Sequence, residues 1–135
     1  MLTGNFQQLY DRLVPFVDKN RIYHDPLHTL AFGTDASFYR LIPQMVIKAK
    51  NEAEVSLILE ESSSLKIPVT FRAGGTSLSG QAVTDSLLVI AGNNWKKSVV
   101  EENGAAIRLQ TGRPCRGRAL PQSTCRYISM ISSCR

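Results

Sequence analysis

The stretch Ile67–Ile90, IPVTFRAGGTSLSGQAVTDSLLVI, sets two apolar runs on either side of a loop made of small residues. The first run, after Pro68, is rich in β-branched residues and the second is Leu87 to Ile90, so the pattern reads strand, loop, strand. Between Arg72 and Gln81 stand three glycines (Gly74, Gly75, Gly80), three hydroxyl residues (Thr76, Ser77, Ser79), one arginine and no acid. Glycine admits positive φ and lets a ligand approach the main chain, where successive N–H groups can form a concavity for an anion. The same composition also serves a plain glycine-rich turn between strands, and composition alone does not choose between the two. The loop is not a P-loop, since Gln81 follows Gly80 where lysine is required, and it is not G-x-G-x-x-G.

The order of the residues adds what composition cannot. P-V-T-F-R-A-G-G-T-S-L-S-G-Q resembles the pyrophosphate-binding loop of FAD-linked oxidases of the vanillyl-alcohol oxidase type, with a P-x-x-x-R-G-x-G-T-[ST]-x-x-G pattern after a strand. The T-S-L-S-G-Q ending is most similar to the branch of D-lactate dehydrogenases and the glycolate oxidase flavin subunit. Ala73 departs from the glycine common at its position, which the loop tolerates if that residue has an ordinary φ. The resemblance implies that Arg72, Ala73, Gly74, Gly75, Thr76, Ser77, Gly80 and Gln81 bind FAD, chiefly through main-chain N–H groups on its diphosphate. It also extends upstream, where D-P-L-H-T-L-A-F-G-T-D-A-S-F-Y-R-L-I-P is similar to the segment that enters the FAD domain in that group and packs near the cofactor.

The flanking pattern agrees on physical grounds. Met45 to Lys48 reads as a strand, Asn51 to Lys66 as a helix and Val69 to Phe71 as a strand, with Asn51 as N-cap and Glu54 in the capping position. Val55, Ile58, Leu59 and Leu65 supply the helix's buried stripe. A β-α-β unit of this length makes the two strands parallel, and ligands bind at the carboxyl ends of such strands. The glycine loop is expected to leave that end as a hairpin with its amides turned inward. After Ile90, Ser98 to Glu101 and Ala105 to Gln110 read as an antiparallel hairpin. The fold expected is α+β, and the resemblance implies that it is the first subdomain of a PCMH-type FAD-binding domain, a short parallel β-α-β sheet with helices, plus the start of the antiparallel subdomain.

Ahead of the strands, Phe6, Leu9, Leu13, Phe16 and Val17 lie at helical spacing, with Pro15 ending or bending the helix. Residues 1–43 are thus read as a helical lead-in, and the resemblance implies that 44–111 are a partial FAD-binding domain. His24, Asp25 and His28 have the look of a ligand set or a relay, but the third ligand is missing, and Asp25-Pro26 reads better as a helix cap and first turn.

Residues 112–135 differ from the rest. Residues 1–111 contain 11 Lys+Arg and 11 Asp+Glu, whereas the tail has five arginines, no acid and all three cysteines, Cys115, Cys125 and Cys134. The whole net charge of +5 therefore sits in the tail, and the cysteine spacing matches no zinc or iron–sulfur pattern. Three readings of the tail stand: an out-of-frame extension, which is preferred, a linker, or a basic arm that contacts nucleic acid. What the resemblance implies is FAD binding within an oxidoreductase acting on D-2-hydroxy acids, here expected to be truncated and to lack its substrate domain. A separate chain completing the flavin domain is kept as a partner, and a small basic nucleic-acid-interacting module acting through the tail is the alternative. No apolar run approaches the roughly 20 residues of a membrane span, so a cytoplasmic location is expected.

Overall fold

In the computed structural model, residues 2, 4–101 and 106–111 are described. The N-terminal segment forms α1 (Asn5–Leu13), a 3-10 turn at Lys19–Arg21, the two-residue strand β1 (Ile22–Tyr23) and the short helix α2 (Pro26–Ala31). β2 (Met45–Lys48), α3 (Glu52–Ser64) and β3 (Val69–Arg72) follow as the predicted strand, helix and strand. β4 (Leu87–Ile90) completes a four-stranded sheet, and β5 (Ser98–Glu101) pairs with β6 (Ala106–Leu109) as the expected antiparallel hairpin.

The sheet order is β1-β2-β4-β3, with β2, β4 and β3 parallel and β1 antiparallel at the edge. β2 and β3 are therefore parallel, as the helix between them requires, yet they are not neighbours. β4 lies between them, with Leu87 opposite both Met45 and Val69. Its four residues, Leu-Leu-Val-Ile, are buried on both faces, which is what a continuous apolar run without alternation permits in a central parallel strand. The glycine segment is thus not a hairpin: residues 73–86 carry the chain back across the sheet to restart β4 in the same direction as β3.

One face of the sheet, through Met45, Ile47, Leu87 and Val89, packs on Leu9, Leu13 and Val17 from the N-terminal helical segment and on Ile58 of α3. Phe16, expected in that stripe, is 68% exposed, because Pro15 interrupts the helical spacing that would have turned it inward. In α3 it is Leu57, rather than Leu59, that joins Val55, Ile58 and Leu65 against the core. The opposite face gathers Val46, Leu88 and Ile90 under Tyr23 and Phe32.

The helix caps follow their chemistry. Asn51 Oδ1 accepts from the Glu54 N–H at 2.9 Å, as predicted. Glu54 does not close the box on Asn51; it accepts from the Lys50 N–H at 2.8 Å and from both terminal nitrogens of Arg21 at 2.6 and 2.7 Å. Asp25 caps α2 by accepting from the His28 N–H, with Pro26 at the first helical position.

Candidate functional site

The candidate site begins where β3 ends, at the carboxyl edge of the parallel strands. Arg72, the last residue of β3, accepts the Ala91 N–H on its carbonyl at 2.8 Å, which holds the loop's root against the end of β4. Ala73 lies outside the positive-φ region, so the methyl group that departs from the resembling pattern costs the loop nothing. Gly75 and Gly80 have φ of 67° and 73°, and there the turn needs glycine. Between them Ser77 organises the bend, its Oγ accepting from the Ser79 N–H at 3.3 Å and the Gln81 N–H at 3.1 Å. The N–H groups of Gly74, Gly75, Thr76 and Ser77 meet no acceptor among the described residues. Gly74 and Thr76 are exposed, and a side chain built on Gly74 would meet nothing closer than Thr76 Cγ2 at 3.8 Å.

A second segment, residues 32–41, forms a wall beside this loop. Arg72 Nη1 donates to the carbonyls of Phe32 at 3.1 Å and Thr34 at 2.7 Å. Its guanidinium lies 6.0 Å from the Phe32 ring and occupies the place where a Cβ on Gly75 would fall. At the far end of the loop the Tyr39 ring rests on Gly80. The wall is ordered internally: Asp35 Oδ1 accepts from the Ser37 N–H at 2.8 Å and from the Ser37 hydroxyl at 2.5 Å, and Ser37 Oγ accepts from the Tyr39 N–H at 3.2 Å. The Ser37 hydroxyl holds the Asp35 carboxyl below its ordinary range, helped by the Ser37 and Ala82 amides and the charge of Arg72. Asp35 Oδ2 is buried and makes no hydrogen bond of ordinary geometry among the described residues.

The expected loop residues, Arg72, Ala73, Gly74, Gly75, Thr76, Ser77, Gly80 and Gln81, are all on this one segment. The contacts of Phe32, Thr34 and Tyr39 with it are visible only in the fold, because they join positions 38 to 41 residues apart. The sequence signal available was the T-D-A-S-F-Y-R string itself, without a role for any residue in it.

The histidine set does not assemble. Asp25 accepts from His28 Nδ1 at 2.8 Å, whereas His24 meets the Tyr10 ring edge-on at 5.2 Å. Among the described residues no group of three His, Cys, Asp or Glu could hold a metal ion, and no helix is long and apolar enough to cross a membrane. A groove of about 360 Å³ beside α2, lined by Leu2, His24, Pro26, Leu30, Ile42 and Pro43 among others, includes no residue of the glycine loop. The cysteines and tail arginines lie outside the described residues.

A row of amide donors without acceptors, with hydroxyls beside them, suits a ligand rich in acceptors, which is the character of a phosphate or diphosphate. Comparisons with known proteins place the chain in a family. A family model described as FAD binding domain matches residues 43–116. The chain is 28% identical over 116 residues to D-2-hydroxyglutarate dehydrogenase from Pseudomonas putida, an alignment covering 82% of this chain and 11% of that protein. Its fold is similar to p-cresol methylhydroxylase with substrate bound, at a TM-score of 0.60 and 9% identity over 73% of this chain and 20% of that one. It is similar also to 4-ethylphenol oxidase from Gulosibacter chungangensis, at a TM-score of 0.59 and 13% identity over 78% of this chain and 22% of that one. The chain thus spans about a tenth of the curated relative and a fifth of these structures. The structural likeness carries the PCMH-type fold, and the family match takes in more than half of the residues: the chain belongs to the FAD-binding-domain family of FAD-linked oxidases, and its cofactor is FAD.

Proposed function

We propose that the chain supplies the diphosphate-holding part of an FAD-dependent oxidoreductase acting on D-2-hydroxy acids. The observation that carries the reading is the run of acceptor-free amides at Gly74, Gly75, Thr76 and Ser77, at the carboxyl end of a parallel strand. FAD fits this donor set, because its diphosphate is all acceptor and the exposed, side-chain-free Gly74 leaves the main chain open to close approach. The contacts are assigned to the segment Arg72, Ala73, Gly74, Gly75, Thr76, Ser77, Gly80 and Gln81, chiefly to the open main-chain N–H groups of Gly74 to Ser77; the Gln81 N–H is already given to Ser77 Oγ and the Arg72 guanidinium to the Phe32 and Thr34 carbonyls. Bound flavin supplies the hydride-accepting chemistry, and the protein's part is to hold and orient it.

Two supports favour a D-2-hydroxy acid as substrate. One is the name of the curated relative, D-2-hydroxyglutarate dehydrogenase. The other is the T-S-L-S-G-Q string at Thr76–Gln81, which resembles the D-lactate and glycolate branch. The residues that would handle the hydroxy acid are assigned to a further segment or a separate chain. The isolated chain is accordingly expected to bind FAD weakly, with a dissociation constant on the order of 0.1–1 mM.

The test compares FAD, ADP and riboflavin by fluorescence and by ³¹P NMR. Diphosphate recognition by the loop predicts that FAD and ADP compete, that the ³¹P resonances of ADP shift, and that riboflavin binds far more weakly. Riboflavin binding as well as FAD, with no response to ADP, would remove the reading.

A further inference from the structure

We infer that Arg72 is a positioning residue: its guanidinium clamps the segment Phe32–Thr34 to the root of the glycine loop and leaves the diphosphate to neutral amides. The inference rests on the reading of the loop as an anion cradle and assigns its one arginine a role that composition does not suggest.

Three observations carry it. Both protons of Nη1 are committed, one to the Phe32 carbonyl at 3.1 Å and one to the Thr34 carbonyl at 2.7 Å. The rest of the guanidinium is packed on the Gly75 backbone, with Nη2, Nε and Cζ all in the space a Cβ there would need. Beside the cation stands the Phe32 ring, with its centroid 6.0 Å from Cζ. An arginine placed to meet phosphate presents its fork to the ligand. Here part of the fork is spent on main-chain carbonyls and the rest is packed on the loop's own backbone.

The arrangement also explains why Gly75 must be glycine twice over: its φ is positive, and its missing side chain is the space Arg72 fills. Through this contact, Arg72 sets the turn from which the amides of Gly74 to Ser77 project. It thus acts on the ligand through the loop.

Two variants of the full chain, Arg72→Gln and Arg72→Lys, separate the two roles, since lysine keeps the charge and loses the planar fork. Amide hydrogen exchange without ligand is followed at Leu41, whose N–H donates to the Gly33 carbonyl at 3.1 Å inside the clamped segment. ADP affinity is measured at two salt concentrations. A positioning role predicts that both variants speed exchange at Leu41, by about tenfold, and that both weaken ADP binding alike with its salt dependence unchanged. The inference is overturned if Leu41 stays protected in both, while Lys binds ADP like the wild type and Gln binds weakly with a flatter salt dependence. Should ADP fail to bind even the wild type, the cradle reading falls and the exchange measurement still decides whether Arg72 is the clamp. Should the Gln variant not fold, the Lys variant decides by the same two readouts.

Discussion

Tyr39 occupies the space a side chain at position 80 would need: a Cβ on Gly80 would lie 2.7 Å from Tyr39 Cδ2 and 3.1 Å from Cγ. Arg72 stands to Gly75 in the same relation. The loop is therefore pinned at two glycines by side chains that pack where each lacks a Cβ, and the four amides that meet no acceptor among the described residues, Gly74 to Ser77, run from just before the first pin into the stretch between the two. A loop with such open donors has to keep them from collapsing onto neighbouring carbonyls. Two packed contacts at its ends do this with little cost to the exposed middle.

Gly80→Ala should therefore destabilise the protein by about 1–2 kcal/mol from the positive φ alone, with a further loss as Tyr39 is pushed aside. Gly74→Ala, at ordinary φ and with only an ordinary contact to Thr76 Cγ2 at 3.8 Å, should stay within about 0.5 kcal/mol of the parent. Urea unfolding of the two variants side by side checks this, and equal midpoints would mean that Tyr39 does not pin the loop.

Lys66 offers the converse case. It ends α3 with φ of 55°, the one non-glycine residue with positive φ among the described residues, while the Ile67 N–H reaches back to the Ser62 carbonyl at 2.9 Å. This is the left-handed cap that glycine usually supplies. Lys66→Gly should stabilise by about 0.5–1 kcal/mol, seen as a higher urea midpoint with an unchanged slope.

How much of this was legible in the sequence depended on the range of the interaction. The apolar run Leu87–Ile90, the Asn51 cap and the Asp25-Pro26 start are local signals, and each formed the element it promised. The glycines of the loop announced an exposed main chain in the same way. The insertion of β4 between β2 and β3 was not legible, since pairing order is set by which strand gains most from burial on both faces, and no window of neighbouring residues records that. Glu54 shows the limit within a single motif. Its position promised a bond to Asn51, but Arg21, 33 residues earlier, offers a charged, two-pronged partner and takes the carboxylate. The roles of Arg72 and Tyr39 were hidden for the same reason.

Ser62 is fully buried in α3, and its Oγ has no hydrogen-bond partner among the described residues. A buried hydroxyl without a partner costs stability, and serine is a poorer helix former than alanine. Ser62→Ala should raise stability by about 1 kcal/mol, against the usual direction of core truncation. Chemical denaturation gives the sign. A loss of 1 kcal/mol or more would mean that the hydroxyl is satisfied in solution.

The pair Arg21–Glu54 ties the N-terminal segment to β2 and α3, because Arg21 Nη1 also donates to the Lys48 carbonyl at 3.0 Å and Glu54 also accepts from the Lys50 N–H. Their side chains are only 21% and 12% exposed, so water screens the pair less than it would a surface contact. The hydrogen bonds from Arg21 hold the Glu54 carboxyl below its ordinary value of 4.5, and Arg21 is raised in turn. A carboxylate whose value is depressed on folding contributes stability that is present above the unfolded value and lost as pH falls through the folded one. Glu54→Gln keeps the shape and removes the charge, leaving Arg21 half-buried without its partner, so at pH 7 it should cost about 1–3 kcal/mol. As pH falls below 4.5 the parent loses this contribution and the variant has none to lose, so the gap between their urea midpoints should narrow from that point downward. Asp25 and Asp35, both lowered by hydrogen bonds of their own, titrate in parent and variant alike and cancel in the difference. A gap that stays constant from pH 7 into the acid range would show that Glu54 acts through shape and not through its charge.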